Sequence, residues 1–290
     1  MTAFLLKGSP VTEAIDKNTL HNVELLSEHG IIPCLAILRF GERPEDLAYE
    51  RTILHKAEKV GILIRKIILN PSISQSEYES ILEYLSSDSS IHGILPFRPI
   101  PAQLNAFSAF NHILIEKDVD GCSQQSLGML FTGSGFYFAP CTAKAVMDIL
   151  NYYHIVVSGR HAVVLGRSLV VGKPLAQLLL NENATVTVCH SKSDNLPFIT
   201  RTADIVISSI GKPAFLTKDF FTSNQSVIDV GINWLESECR ICGDVLFSEV
   251  VSICKEITPV PGGIGSVTTA RLLNNTSVSA LKTISLSQEI

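Results

Sequence analysis

Apolar residues fall in short blocks separated by amphipathic stretches, and the blocks alternate between two periods. Residues 33–40 (PCLAILRF) form a nearly continuous apolar run, the pattern of a strand covered on both faces. Residues 44–60 then space their apolar positions helically, with Pro44 in the first turn and Gly61 just past the end. Residues 63–69 predict the next strand, 75–85 a helix, and 91–95 a third strand stopped by Pro96, Pro99 and Pro101. This βαβαβ order implies a parallel sheet. The pattern breaks at 131–139 into glycine and aromatic residues, where a domain boundary is expected. A helix over 142–153 leads into a second alternation: strand 161–165, helix 172–181, then strands at 184–189, 204–208 and 226–230. A last helix is expected over 268–281. The fold class is therefore α/β, with two domains in 290 residues.

Composition narrows the function classes. Apolar residues make up 46%, enough for two cores. The net charge of −5 argues against nucleic acid as a partner, because phosphate contacts require a basic surface. No apolar run approaches the roughly 18 to 20 residues of a membrane helix. The opening MTAFLLKGSP has too short an apolar stretch for a secretory signal, so a cytoplasmic protein is expected. Seven scattered cysteines imply no disulfide framework. Cys239 and Cys242 are spaced CxxC, but no second ligand pair accompanies them, and no metal is expected.

The second alternation carries the first chemical signal. In HAVVLGRSLVVGKPLAQLLL a buried strand runs into Gly166, a short loop, Gly172 and a helix. Such a turn offers backbone N–H groups and a helix N-terminus to a phosphate. Ser168 stands where the usual GxGxxG has its middle glycine, so an ordinary βα turn remains open on this evidence alone. The next strand ends VTVCHSKS, without the acidic residue that holds a ribose 2′-hydroxyl in NAD sites. Arg167, His190, Ser191 and Lys192 stand there instead; the planar Arg167 suits a 2′-phosphate, which favours NADP over NAD, while Lys192 by itself reads as a solvated surface lysine.

Several motifs then occur in order: KDVDG (117–121), FAPCT (138–142), GRSLVVGKPLAQLLL, ATVTVCHSKS, ADIVISSIGKP, VIDVGIN, GDV and ITPVPGGIGSVTTARLLNNT. Together they resemble the methylenetetrahydrofolate dehydrogenase/methenyltetrahydrofolate cyclohydrolase family over nearly the whole chain. The resemblance implies a folate-binding catalytic domain (1–139), onto which a C-terminal helix (268–290) packs back, and a Rossmann-like NADP domain (140–267), with a cleft between the two domains. It implies a tetrahydrofolate derivative as substrate and a homodimer paired through the nucleotide domain. Gly166, Arg167, Ser168, Gly172, Lys173, Pro174, His190, Ser191, Gly211 and Ile232 would contact the cofactor. Tyr49, Asp120, Pro261, Gly262 and Gly263 would contact the substrate, with Tyr49 stacking on the pterin and Asp120 hydrogen-bonding it.

Two departures fall in the catalytic pattern. The family's Tyr-Val-x-x-Lys helix reads Tyr49 to Ile53 here, so the lysine of the cyclohydrolase step is Ile53. Its glutamine partner is Phe97. The stretch after KDVDG is Cys122-Ser123-Gln124-Gln125-Ser126 in place of Phe-His-Pro-x-Asn, and PGGVGPMT has become PGGIGSVT. Lys56 lies two turns beyond Tyr49 on the same helix face and is a possible substitute base, while His55 is expected at the surface. Arg98 stays charged, and suits a carboxylate such as a folate glutamate tail better than general-base work. The expectation is an NADP-dependent methylenetetrahydrofolate dehydrogenase with a weak or absent cyclohydrolase step. A different substrate on the same fold, a non-catalytic binding protein and the full bifunctional activity remain open.

Overall fold

The computed structural model describes residues 2–235 and 240–287. The chain divides into two compact units, Ala14–Cys141 with Thr269–Ile290 and Met1–Glu13 with Thr142–Thr268.

The first of these units is built on a three-stranded parallel sheet. Its strands are β2 (Cys34–Phe40), β3 (Leu63–Leu69) and β4 (Gly93–Pro96), in the order β3-β2-β4, with Leu35 opposite Ile64 on one side and Gly93 on the other. Between them run α2 (Pro44–Val60) and α3 (Gln75–Ser87). Helix α2 starts with Pro44 and stops at Gly61, whose φ of +75° is left-handed, so glycine ends the helix without Cβ strain. Helix α3 is opened by a reciprocal capping box between Ser74 and Glu77. Short helices α4 (Ala106–Phe110) and α5 (Gln124–Thr132) follow β4.

One face of this sheet packs Ala36, Leu38, Tyr78, Leu82 and Phe110; the other packs Leu35, Ile37, Ile53, Phe97, Leu272 and Leu273. The last two come from the C-terminal helix α10 (Ile264–Ser287), longer than the 268–281 expected. Helix α1 (Gly8–Glu28) has no counterpart in the expected elements, because its inward face carries Thr19 and Asn22 among Ile15 and Leu26 and so interrupts the apolar period. Those two groups find partners on α10: Asn274 Nδ2 donates to Thr19 Oγ1 at 3.2 Å, and Asn22 Nδ2 to Ser277 Oγ at 3.0 Å.

The other unit holds a six-stranded parallel sheet ordered β1-β11-β8-β7-β5-β6. Its strands are β1 (Phe4–Leu5), β5 (His161–Leu165), β6 (Thr185–Cys189), β7 (Ile205–Ser208), β8 (Ser226–Asp229) and β11 (Glu256–Ile257). Helices α6 (Cys141–Tyr152), α7 (Gly172–Asn181), α8 (Leu196–Arg201) and α9 (Phe247–Val250) intervene, and β9 (Asn233–Leu235) pairs antiparallel with β10 (Arg240–Cys242). The expected division placed residues 1–13 with the folate side. They group instead with 142–268, because Phe4 and Leu5 pair with Glu256 and Ile257 at the sheet edge. Strand order reverses at β5, where β6 lies on one side and β7 on the other. In doubly wound sheets the crevice at such a point, beyond the carboxyl ends of the strands, is where ligands bind.

Candidate functional site

In the six-stranded unit the candidate residues gather at the carboxyl ends of β5, β6 and β7. Leu165 is level with Cys189 and with Ser208, so the three following loops start side by side. Gly166 has φ of +120°, and a Cβ there would lie 2.7 Å from the Ser209 carbonyl oxygen. A Cβ on Gly172 would run into the carbonyl of Gly166. Both positions thus need glycine, and the loop between them is folded on itself: Lys173 N–H donates to Ser168 O at 3.0 Å and Val171 N–H to Ser168 Oγ at 3.1 Å. Arg167, Ser168 and Lys173 are exposed around the start of α7, while Pro174 is buried in its first turn. The neighbouring loop turns tightly, with His190 N–H donating to Ser193 Oγ at 3.0 Å and Lys192 N–H to His190 Nδ1 at 3.1 Å, which leaves Ser191 exposed.

The loops after β7 and β8 bear Gly211 and Ile232, both exposed. They are joined by Asp244, a residue the sequence reading passed over within GDV. Its Oδ2 accepts from Ser208 Oγ and Ile210 N–H, both at 2.8 Å, and its Oδ1 from Lys212 N–H at 3.0 Å and Asn233 Nδ2 at 2.9 Å. Asp229 in turn accepts N–H bonds from Gly231, Asp244 and Val245. Burial, with the nearby Asp244 charge, pushes the Asp229 carboxyl up to about 7 against the pull of those donors. Pro261, Gly262 and Gly263 precede α10, and Gly262 O accepts the Gly8 N–H at 2.8 Å. Cys239 of the CxxC pair lies outside the described residues, and Cys242 is buried. Among the described residues no cluster of metal-ligating side chains occurs.

The other unit assembles Tyr49, Ile53, Phe97 and Asp120. Helix α2 turns Ile53 and Ala57 inward at i and i+4, and Ile53 is wholly buried in one apolar cluster with Leu35, Leu95, Phe97 and Val119. The Tyr49 and Phe97 rings lie 5.2 Å apart at 36°, a tilted stack at the carboxyl end of β4. The next residue, Glu50, is buried against Arg39 of β2 at 2.7 Å, which fixes this turn of the helix. Burial holds the proton on the Tyr49 phenol, and the Asp120 charge adds to the effect. Positions 53 and 97 contribute no polar group to this wall.

Asp120 is partly exposed, accepting the Cys141 N–H at 3.2 Å through Oδ1. Arg98, suggested by sequence for an external carboxylate, turns to Asp120 itself, with Nη2 3.3 Å from Oδ2. Ser123 caps α5, accepting the Ser126 N–H, and Asp118 braces that cap: it accepts Cys122 N–H, Ser123 N–H and Ser126 Oγ–H at 2.8, 2.9 and 2.6 Å. His55 is exposed. Lys56 is half-buried, and Asp16 of α1 is the acid that favours its charge while burial opposes it.

Residues 6–120 match the family described as tetrahydrofolate dehydrogenase/cyclohydrolase, catalytic domain, and residues 140–284 match its NAD(P)-binding domain. The chain is 44% identical over 271 residues to the bifunctional protein FolD 1 of Desulfitobacterium hafniense, covering 93% of this chain and 96% of that protein. A crystal structure of the bifunctional FolD methylenetetrahydrofolate dehydrogenase/cyclohydrolase from Campylobacter jejuni superposes with a TM-score of 0.94 at 38% identity, over 97% of this chain and 99% of that one. The FolD of Trypanosoma brucei, solved with NADP cofactor and an inhibitor, gives 0.91 at 32% identity, over 98% and 99%. No described helix is long and apolar enough to cross a membrane. With matches across both units, the chain belongs to the tetrahydrofolate dehydrogenase/cyclohydrolase family.

Proposed function

We propose that this protein oxidises 5,10-methylenetetrahydrofolate to the 5,10-methenyl form with NADP, and that it does not efficiently catalyse the hydrolysis to 10-formyltetrahydrofolate. The observation that carries the second half is the apolar wall of Tyr49, Ile53 and Phe97. Hydride loss from the methylene carbon needs the folate held and oriented, with no protein base at that carbon. Hydrolysis needs a group that orders water and moves a proton. Tyr49 offers a ring face to the pterin and Asp120 a carboxylate to its donors, while Ile53 and Phe97 exclude water without handling protons.

The cofactor half rests on the Gly166–Gly172 cradle, which would hold a phosphate on backbone N–H groups at the start of α7. Arg167 and Ser191 are exposed beside it for the 2′-phosphate. NADP, when bound, supplies a hydride acceptor. We further infer a homodimer paired through the nucleotide-binding unit.

Two assays with purified protein test the reading. NADP reduction should accompany methylenetetrahydrofolate oxidation, and Arg167→Ala should remove most of the preference for NADP over NAD. The absorbance of added methenyltetrahydrofolate should clear little faster than in buffer. Rapid clearance would mean that another group, Lys56 first among them, has taken the lysine's place. The occupied Asp120 and the altered 122–126 stretch favour a second reading, a substrate other than folate; NADP binding without tetrahydrofolate binding would select it.

A further inference from the structure

Arg98 follows Phe97 directly at the carboxyl end of β4, and its guanidinium reaches across to Asp120 at 3.3 Å, with the two side chains 27% and 18% exposed. The guanidinium carbon also sits 5.5 Å from the centre of the Phe110 ring, which fixes the group from its other side. Because Arg98 adjoins Phe97, whose ring lies 5.2 Å from that of Tyr49, the ion pair stands beside the Tyr49–Phe97 wall. The other carboxylate of this corner, Asp118, is wholly buried and spent on the N–H and hydroxyl groups that start α5. The ring-binding carboxylate therefore arrives already neutralised by a cation.

The proposed reaction changes the charge of the folate. One C–H bond of the methylene bridge breaks, its electron pair and hydrogen leave together for the oxidised cofactor, and the bridge becomes a delocalised cation. A lone carboxylate nearby would hold that cation more tightly than its neutral precursor; a carboxylate paired with a guanidinium has no such preference. We propose that Arg98 is a specificity-determining residue, which by neutralising Asp120 loosens the hold on the cationic methenyl product so that it leaves unhydrolysed for a separate hydrolytic enzyme. The inference rests on the folate reading above and deepens it.

Equilibrium binding of the full chain to 5,10-methenyltetrahydrofolate and to tetrahydrofolate, which lacks the cationic bridge, gives a ratio of Kd values that isolates the charge effect. One unit charge acting over several ångströms in a partly exposed site changes such a ratio by about tenfold. Arg98→Leu should shift the ratio about tenfold toward the cation, and Arg98→Lys should leave it near that of the unmodified protein. Asp120→Asn, which leaves the guanidinium uncompensated, should shift it the other way and keeps the test sharp even where Arg98→Leu fails to fold. An unchanged ratio in folded Arg98→Leu, or a shift of Asp120→Asn toward the cation, overturns the proposal. Binding of neither folate by the unmodified protein overturns the reading beneath it, and this inference with it.

Discussion

At Ile53 the proposed loss of hydrolysis can be tested with a single side chain. Ile53 is wholly buried among apolar side chains, so Ile53→Lys alone would bury an ammonium whose pKa burial lowers and which neither Ile53's apolar neighbours nor Phe97 would orient. That variant should unfold at lower temperature and gain little hydrolysis. Adding Phe97→Gln supplies a polar partner, and the double variant should clear methenyltetrahydrofolate about 10² times faster than the unmodified protein, the lower end of general acid–base contributions. A double variant no faster than the unmodified protein would show that more than these two positions separates the chain from hydrolysis.

Asp229 sets a pH dependence on the same scale. Its folded value near 7 exceeds that of an unfolded aspartate, so between about pH 4 and 7 the native state binds the extra proton. Stability from this group is thus present at low pH and is lost as pH rises through 7. Urea unfolding should show the unmodified protein losing about 2 kcal/mol between pH 5.5 and 7.5 relative to Asp229→Asn. Parallel curves would place the carboxyl at an ordinary value.

Elements make their contribution at their ends. The loop before α7 folds on itself only because Gly166 and Gly172 carry no Cβ, and the proposed phosphate site depends on that fold. Gly166→Ala would put a side chain on a φ of +120° and against Ser209, a strain of about 1–3 kcal/mol at one loop. Isothermal titration should show at least tenfold weaker NADP binding with the far-ultraviolet circular dichroism unchanged; unaltered affinity would remove this loop from the cofactor site. Helices α1 and α10 illustrate the opposite case, polar faces that are buried because they satisfy each other. Thr19, Asn22, Asn274 and Ser277 are all inside, and each bond they form offsets the desolvation of two groups.

For the whole molecule, assembly is the open quantity. A homodimer related by a twofold axis would use the same patch on both copies. Sedimentation at micromolar concentration should give twice the mass of the chain, and a monomer there would discard the pairing.

Local signals were legible in the residues alone. The two strand–helix alternations, the ends of α2 at Pro44 and Gly61, and the strand–Gly166–Gly172–helix turn are all set by neighbours within a few positions, and the ordered motifs carried the family. The apolar identities of Ile53 and Phe97 were also visible there, because they are a matter of identity and not of arrangement. What tertiary structure alone decided were groups whose partners lie far along the chain. Helix α1 broke the apolar period at Thr19 and Asn22, and only α10, some 255 residues on, makes those positions interior. Arg98 looked available to a ligand until Asp120 came within 3.3 Å. Asp244 was one letter of a motif until four donors, from the end of β7, the loop after it and the start of β9, met its carboxylate. A polar side chain belongs inside when its hydrogen bonds are met, and where they are met is a property of the fold, not of the neighbouring sequence.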